Sequence, residues 1–317
     1  MPASYTAISF AATLILVLGN CVSTTTPPKA AADPGGTSPS AAQPLRVQPD
    51  TPQVLICTQT AEGTKSPATA QGSSTPAREL ANLKAKLMAA DYRANLEELA
   101  RLREELSPWR KDREVGYLAY YWSGFASWRT AINGANHQMK AEDLTKNLKD
   151  ATTDFYSAMR LKDDFADAHA AASLVNGWLA QMVDLQERVS LARALLARGS
   201  ALEPDNPRVL WTKGAFLLYA PEAQGGSIPG AIEVYKQMLK EADRRGVNAQ
   251  SPCPDWGKPE ALMSLAFAHT QLKPPDLKLA REEATAALKL EPEWSYVKDN
   301  LLPKIEEQLR AEAVRNY

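Results

Sequence analysis

The side chains most able to do chemistry in this chain are few and scattered. His137, His169 and His269 each stand alone, with no second His or Cys within four residues. A metal helix or a nucleophile activated by a base needs such partners at short helical spacing or in a recognisable loop. Each histidine therefore reads as a packed side chain; His169 and His269 fall at core positions of their helices. The carboxylate pairs Glu104-Glu105, Asp163-Asp164 and Glu282-Glu283 lie in helix faces or ends, where solvated charge is the expected role. Gly225-Gly226 follows Pro221 and precedes Ile228-Pro229, a loop between helices rather than a phosphate cradle, which would follow a strand. No catalytic residue, metal site or cofactor is expected, so the expectation is a non-enzymatic protein.

The elements that position these residues follow from composition. Among 317 residues, 51 are Ala and 37 are Leu, more than a quarter of the chain, which is helix-forming material. Lys+Arg number 36 and Asp+Glu 37, so no positive excess exists to displace counterions from a nucleic acid. Three cysteines cannot form a disulfide framework.

The N-terminus reads as an address. Ile8 to Leu18 is apolar and uncharged. It is too short to span a bilayer, which takes about 20 residues, and suits the core of a signal peptide over residues 1–20. Leu18-Gly19-Asn20-Cys21 resembles the bacterial lipobox, in which the Cys is lipidated; Asn20 departs from its small-residue pattern. The resemblance implies a lipid anchor at Cys21, an exported periplasmic location and no other membrane association. Ordinary cleavage near Asn20 is the alternative. Residues 21–75 form a tether carrying eight of the 22 prolines among many Ser, Thr, Ala and Gly, with too little apolar surface to offset ordering entropy. Its one apolar patch, Val54-Leu55-Ile56-Cys57, is expected to dock as a short extended piece. Cys57 and Cys253 remain after Cys21. They either pair, pinning the tether to a late junction of the body, or stay as two thiols.

From residue 76 to 317 long helical patterns take over, and they repeat. Ala151, Phe155 and Ala158 form a small–large–small triplet at offsets of four and seven. Ala192, Leu196 and Gly199 repeat it, as do Ala231, Tyr235 and Met238, with Met238 a departure, and then Ala280, Ala284 and Ala287. Such offsets place each triplet on one helical stripe, where small residues admit a close neighbour. The pattern, with Pro204 and Pro292 closing Leu-Glu-Pro after two of the stripes, resembles the second helix of the tetratricopeptide repeat. Leu262, Leu265, Ala266 and His269 stand where that family's first helix has its signature residues. Spacings of 41, 39 and 49 residues between first triplet members exceed the family's roughly 34, which implies insertions such as Ala223–Gly230 and Lys273–Asp276.

The resemblance implies an all-α solenoid of stacked antiparallel helix pairs: an N-terminal hairpin, about four repeats and a capping helix, in one domain. The expected helices are Glu79–Ala89, Tyr92–Leu106, Glu114–Gly134, Glu142–Leu161, Asp167–Met182, Gln186–Leu202, Arg208–Tyr219, Pro229–Arg245, Pro259–Leu272, Lys278–Leu290 and Trp294–Arg315. The last, polar outside, would cap the array.

Counting from the family's positions, the residues facing the concave groove include Asp167, Leu174 and Trp178, then Arg208, Trp211, Ala215 and Tyr219, then Met263, Phe267 and Gln271. Tyr117, Leu118, Tyr121, Trp122, Phe125 and Trp128 form two adjoining aromatic stripes, either buried between hairpins or partly lining the groove. Asp255-Trp256-Gly257 reads as structural, with Pro259 opening a helix and Trp256 stapling its entry. The expected function is a scaffold of the cell envelope that binds a peptide or protein segment in the groove. The alternative is a small-ligand-binding component of a transport system, a layout similar to helical-repeat lipoproteins of the tripartite transporter class.

Overall fold

The computed structural model describes residues 54, 55, 57, 75–183 and 186–315. Among them every regular element is helical. In chain order these are α1 (Thr75–Tyr92), α2 (Leu96–Glu105), α3 (Gly116–Asn136), α4 (Ala141–Leu161), α5 (Ala166–Val183), α6 (Gln186–Leu202), α7 (Pro207–Tyr219), α8 (Ile228–Arg245), α9 (Lys258–Thr270), α10 (Leu277–Leu290) and α11 (Leu302–Arg315). Cys21 and the stretch Ile8 to Leu18 lie outside the described residues, and no described helix is long and apolar enough to cross a membrane.

The helix ends follow local chemistry. Asn95 accepts from the Glu98 backbone N–H to start α2, and Ala94 turns the chain before it at φ 51°. Tyr92 therefore closes α1 instead of opening α2. Asn206 caps α7 by accepting from Arg208 N, ahead of Pro207 in the first turn. Ser227 and Asp276 cap α8 and α10 in the same way, through Gly230 N and Leu279 N. The expected last helix runs without a break over 295–315, with a π turn at Val297–Leu301 leading into α11.

Helices pack as antiparallel neighbours α3/α4, α5/α6, α7/α8 and α9/α10, an all-α array of stacked pairs. Within it α5 touches α7 and α7 touches α9, and no comparable contact joins the even-numbered helices. Helices α3, α5, α7 and α9 therefore form an inner layer. The triplet stripes face their partners: Ala151, Phe155 and Ala158 are fully buried, as are Ala280, Ala284 and Ala287. Glycines on the inner helices receive the large middle residue. A methyl at Gly124 would lie 2.9 Å from the Phe155 ring, and one at Gly214 would run into the Tyr235 ring. This close interlocking is how the small–large pattern specifies pairing.

The array also fastens onto itself. The 246–257 loop between α8 and α9 turns inward and buries Trp256 among Phe125, Trp128 and Trp211, the last two with ring centroids 6.4 and 5.4 Å away. Pro252 accepts a hydrogen bond from Trp122 Nε1 at 2.7 Å. Cys253 forms a disulfide with Cys57. Next to Cys57, Leu55 donates its N–H to Glu114 O and accepts from the Tyr117 hydroxyl at 2.7 Å. Leu55 and Cys57, the described residues of the expected apolar patch with contacts here, thus dock at the start of α3. Helix α1 ties the early and late pairs together: Lys84 pairs with Asp255 at 2.7 Å, Arg129 with Asp91 at 2.6 Å, and Tyr92 stacks on Trp294.

Candidate functional site

Of the expected groove residues, two are not available to a partner. Asp167 and Arg208 are only 2% and 4% exposed, and Asp167 Oδ1 accepts from Arg208 Nε at 2.5 Å. Asn206 Nδ2 donates to the other Asp167 oxygen, and Arg208 Nη1 donates to Trp256 O. The pair locks the start of α5 to the start of α7. Trp211 is likewise committed, its indole N–H donating to Ser264 Oγ at 2.8 Å and its ring 5.6 Å from Trp128. The six aromatic-stripe residues of α3 are all buried, so core packing is the outcome for that cluster. Trp256 is structural as expected, but it packs among the aromatic rings of α3 and α7 in the inner layer instead of stapling its own helix.

What remains open lies at the other end of the inner helices. Leu174, Trp178 and Gln181 from α5, Val189 and Ala192 from α6, and Phe216, Tyr219 and Ala220 from α7 and its exit line a cleft of about 660 Å³, counted with its open mouth. Four of the expected groove residues, Leu174, Trp178, Ala215 and Tyr219, thus come together. Met263 and Phe267 lie next door on α9, half-buried, with Phe267 6.1 Å from the Tyr219 ring. Gln271 is exposed beyond them. Phe216 and Val189 were not expected. Phe216 is the residue that faces Gly177, and even a methyl there would be 3.8 Å from its ring.

Local sequence shapes this mouth. Pro221 stops α7, and a short turn with Gly225 at φ 92° returns the chain so that Ser227 N donates to Leu217 O at 2.7 Å. Gly226 lies against the Ala220 carbonyl, where no Cβ fits. Gly177 keeps the floor free of side chain.

The cleft's chemistry is simple. Its walls are aromatic and aliphatic, with the Gln181 amide turned onto Gly177 O at 3.3 Å. Burial raises the Tyr219 phenol above its ordinary range, so it stays neutral. No lining residue carries a charge. The histidines sit elsewhere: His169 Nε2 bonds Asp163 O, His137 Nδ1 bonds Asn133 O, and His269 Nδ1 lies 2.7 Å from Glu283. Among the described residues no group of three or more His, Cys, Asp or Glu is placed to hold a metal ion. What such a cleft can do is bind apolar matter.

No protein-family model matches the chain. Nor does any curated protein match it.

Proposed function

We propose that this chain is an exported, lipid-anchored, non-enzymatic interaction protein of the cell envelope, built on a tetratricopeptide-like solenoid. Its binding site is the cleft between α5, α6 and α7, which grips an apolar segment of a protein partner. The observation that carries the reading is the open, uncharged cleft holding Trp178, Phe216 and Tyr219 together. Aromatic rings supply large contact area at little entropic cost and are the usual anchors of protein recognition. The Cys57–Cys253 disulfide suits an oxidising compartment, as does the apolar run ahead of Cys21. The site lies off the inner-layer centre because Trp256 and its loop already occupy that ground.

A second reading, a small-ligand carrier serving transport, is favoured by one feature. The cleft's uncharged lining of rings and aliphatic side chains is equally what an apolar small molecule would need. Crosslinking of the anchored protein in intact envelopes, followed by pull-down, separates the two. A polypeptide recovered with the wild type and lost with Trp178→Ala supports the scaffold. Recovery of a co-purifying small molecule and no polypeptide overturns it in favour of the carrier.

A further inference from the structure

Outside the cleft, the most unusual group is the carboxyl of Glu260, in the first turn of α9 and only 4% exposed. Tyr92 at the end of α1 donates its hydroxyl to Glu260 Oε1 at 2.6 Å. The other oxygen, Oε2, is buried with no side-chain hydrogen-bond partner among the described residues. The cation whose charge acts on this carboxyl, Arg129 of α3, is committed elsewhere: its Nε donates to Asp91 Oδ1 at 2.6 Å, and Asn133 donates to the same oxygen at 2.9 Å. Asp91, one residue before Tyr92, adds a negative charge nearby. Glu291, after α10, acts on Tyr92 in the same sense.

Glu260 thus stands where α1, α3 and α9 meet, and Tyr92 beside it stacks on Trp294 at 5.1 Å. This junction joins the first helices of the body to the last pair. A neutral carboxylic acid suits it, accepting one bond from Tyr92 and carrying no net charge. An ionised carboxylate does not, because the Tyr92 hydroxyl and the residue's own backbone N–H are weak compensation for a charge taken out of water. We infer that Glu260 is a proton-controlled latch: when protonated it seats α1 and α9 against each other, and when ionised it releases the end of α1 from α9 and Trp294.

Burial pushes the carboxyl up to about 7, with the Tyr92 hydrogen bond and the Arg129 charge opposing and Asp91 adding to the rise. The latch would therefore change state across neutral pH, within the range an envelope compartment experiences. Release would be felt beyond the junction, since the same helix presents Ser264 to Trp211 and Phe267 to Tyr219.

The test is hydrogen–deuterium exchange of the full chain between pH 5.5 and 8.5, corrected for the intrinsic pH dependence of amide exchange. In the wild type, protection of the C-terminal half of α1 and the first turns of α9 should fall at least tenfold across neutral pH, with α4 and α6 unchanged. Glu260→Gln, which keeps the shape and cannot ionise, should hold the protected state throughout. Tyr92→Phe removes the donor that favours the ion, so its transition should move to higher pH. A flat wild-type profile overturns the latch. So does a Glu260→Gln profile that keeps the fall, and if that variant fails to fold, an unmoved transition in Tyr92→Phe overturns it as well.

Discussion

Replacing Asp167 by Ala should destabilise the fold and leave the binding cleft intact. The carboxylate accepts from Arg208 Nε at 2.5 Å and from Asn206 Nδ2 at 3.1 Å, and both members of the ion pair are almost completely buried. Removing it leaves the Arg208 guanidinium inside the protein with only its 3.3 Å bond to the Trp256 carbonyl. It also frees one tie on Asn206, the residue that caps α7. Breaking a buried pair from one side costs about 3–5 kcal/mol, most of it the uncompensated charge. For a body of this size each kcal/mol lowers Tm by about 2–4 °C, so a drop of roughly 6–20 °C follows. The double variant Asp167→Ala/Arg208→Met should recover most of the loss, because an apolar replacement of both partners is often nearly neutral. Urea unfolding followed by circular dichroism reads all three proteins. A single-variant loss under about 1 kcal/mol would refute the structural role and return Asp167 to the accessible surface.

Other outcomes are expected. Gly177→Ala should be tolerated or stabilise by about 0.5–1 kcal/mol through helix propensity, since its methyl only touches Phe216 at 3.8 Å; Gly177→Leu should keep the thermal stability but abolish binding by filling the cleft, as equilibrium binding to the recovered partner would show. Cys57→Ser should destabilise by up to about 5 kcal/mol in the chain-entropy limit for a bridge 196 residues apart, and by 2–4 on ordinary experience; a loss no larger than that of reduced wild type under the same conditions is required. Glu260 contributes with the opposite sign to most acids. Its folded-state value of about 7 lies above the ordinary 4.5, so the neutral form is favoured on folding. Its contribution is fully present below about pH 4.5 and is lost as pH rises through about 7, an order of ~3 kcal/mol. Relative to Glu260→Gln, wild-type stability from denaturant titrations should fall over that window and level off above it.

How far the sequence reached depended on the range of the interactions. Periodicity located the eleven α-helices of the described residues because it is a local signal, and the Ala–Phe–Ala stripe at 151, 155 and 158 correctly named the buried face of α4. The error at Tyr92 was also local: Asn95 with Glu98 three residues later is a capping signature that places the start of α2 beyond Tyr92. The fate of the groove residues was not local. Trp256 is 135 residues from Tyr121, to whose hydroxyl its indole N–H donates, and no spacing in the chain announces that the 246–257 loop turns inward. With that loop in the inner layer, Trp211 is half-buried against Trp128 and Trp256, while Trp178, equally half-buried, lines the cleft. The same reasoning explains Asp167 and Arg208. A charged residue in the first turn of an inner helix looks like a groove residue until its partner, 41 positions away, is known to face it. The cleft itself was half legible, through Leu174, Trp178, Ala215 and Tyr219; Phe216 was not, because its role depends on the missing side chain at Gly177.

The central claim is that the α5–α6–α7 cleft holds a segment of a protein partner. Photo-crosslinking in intact envelopes tests it most directly, with the reactive side chain placed at Gln181 on the cleft and, in a second protein, at exposed Lys240 on α8. The account predicts a discrete crosslinked polypeptide from position 181 that disappears when Gly177→Leu is added, and none from position 240. Equal crosslinking from both positions, or a polypeptide at 181 that survives the filled cleft, would contradict it.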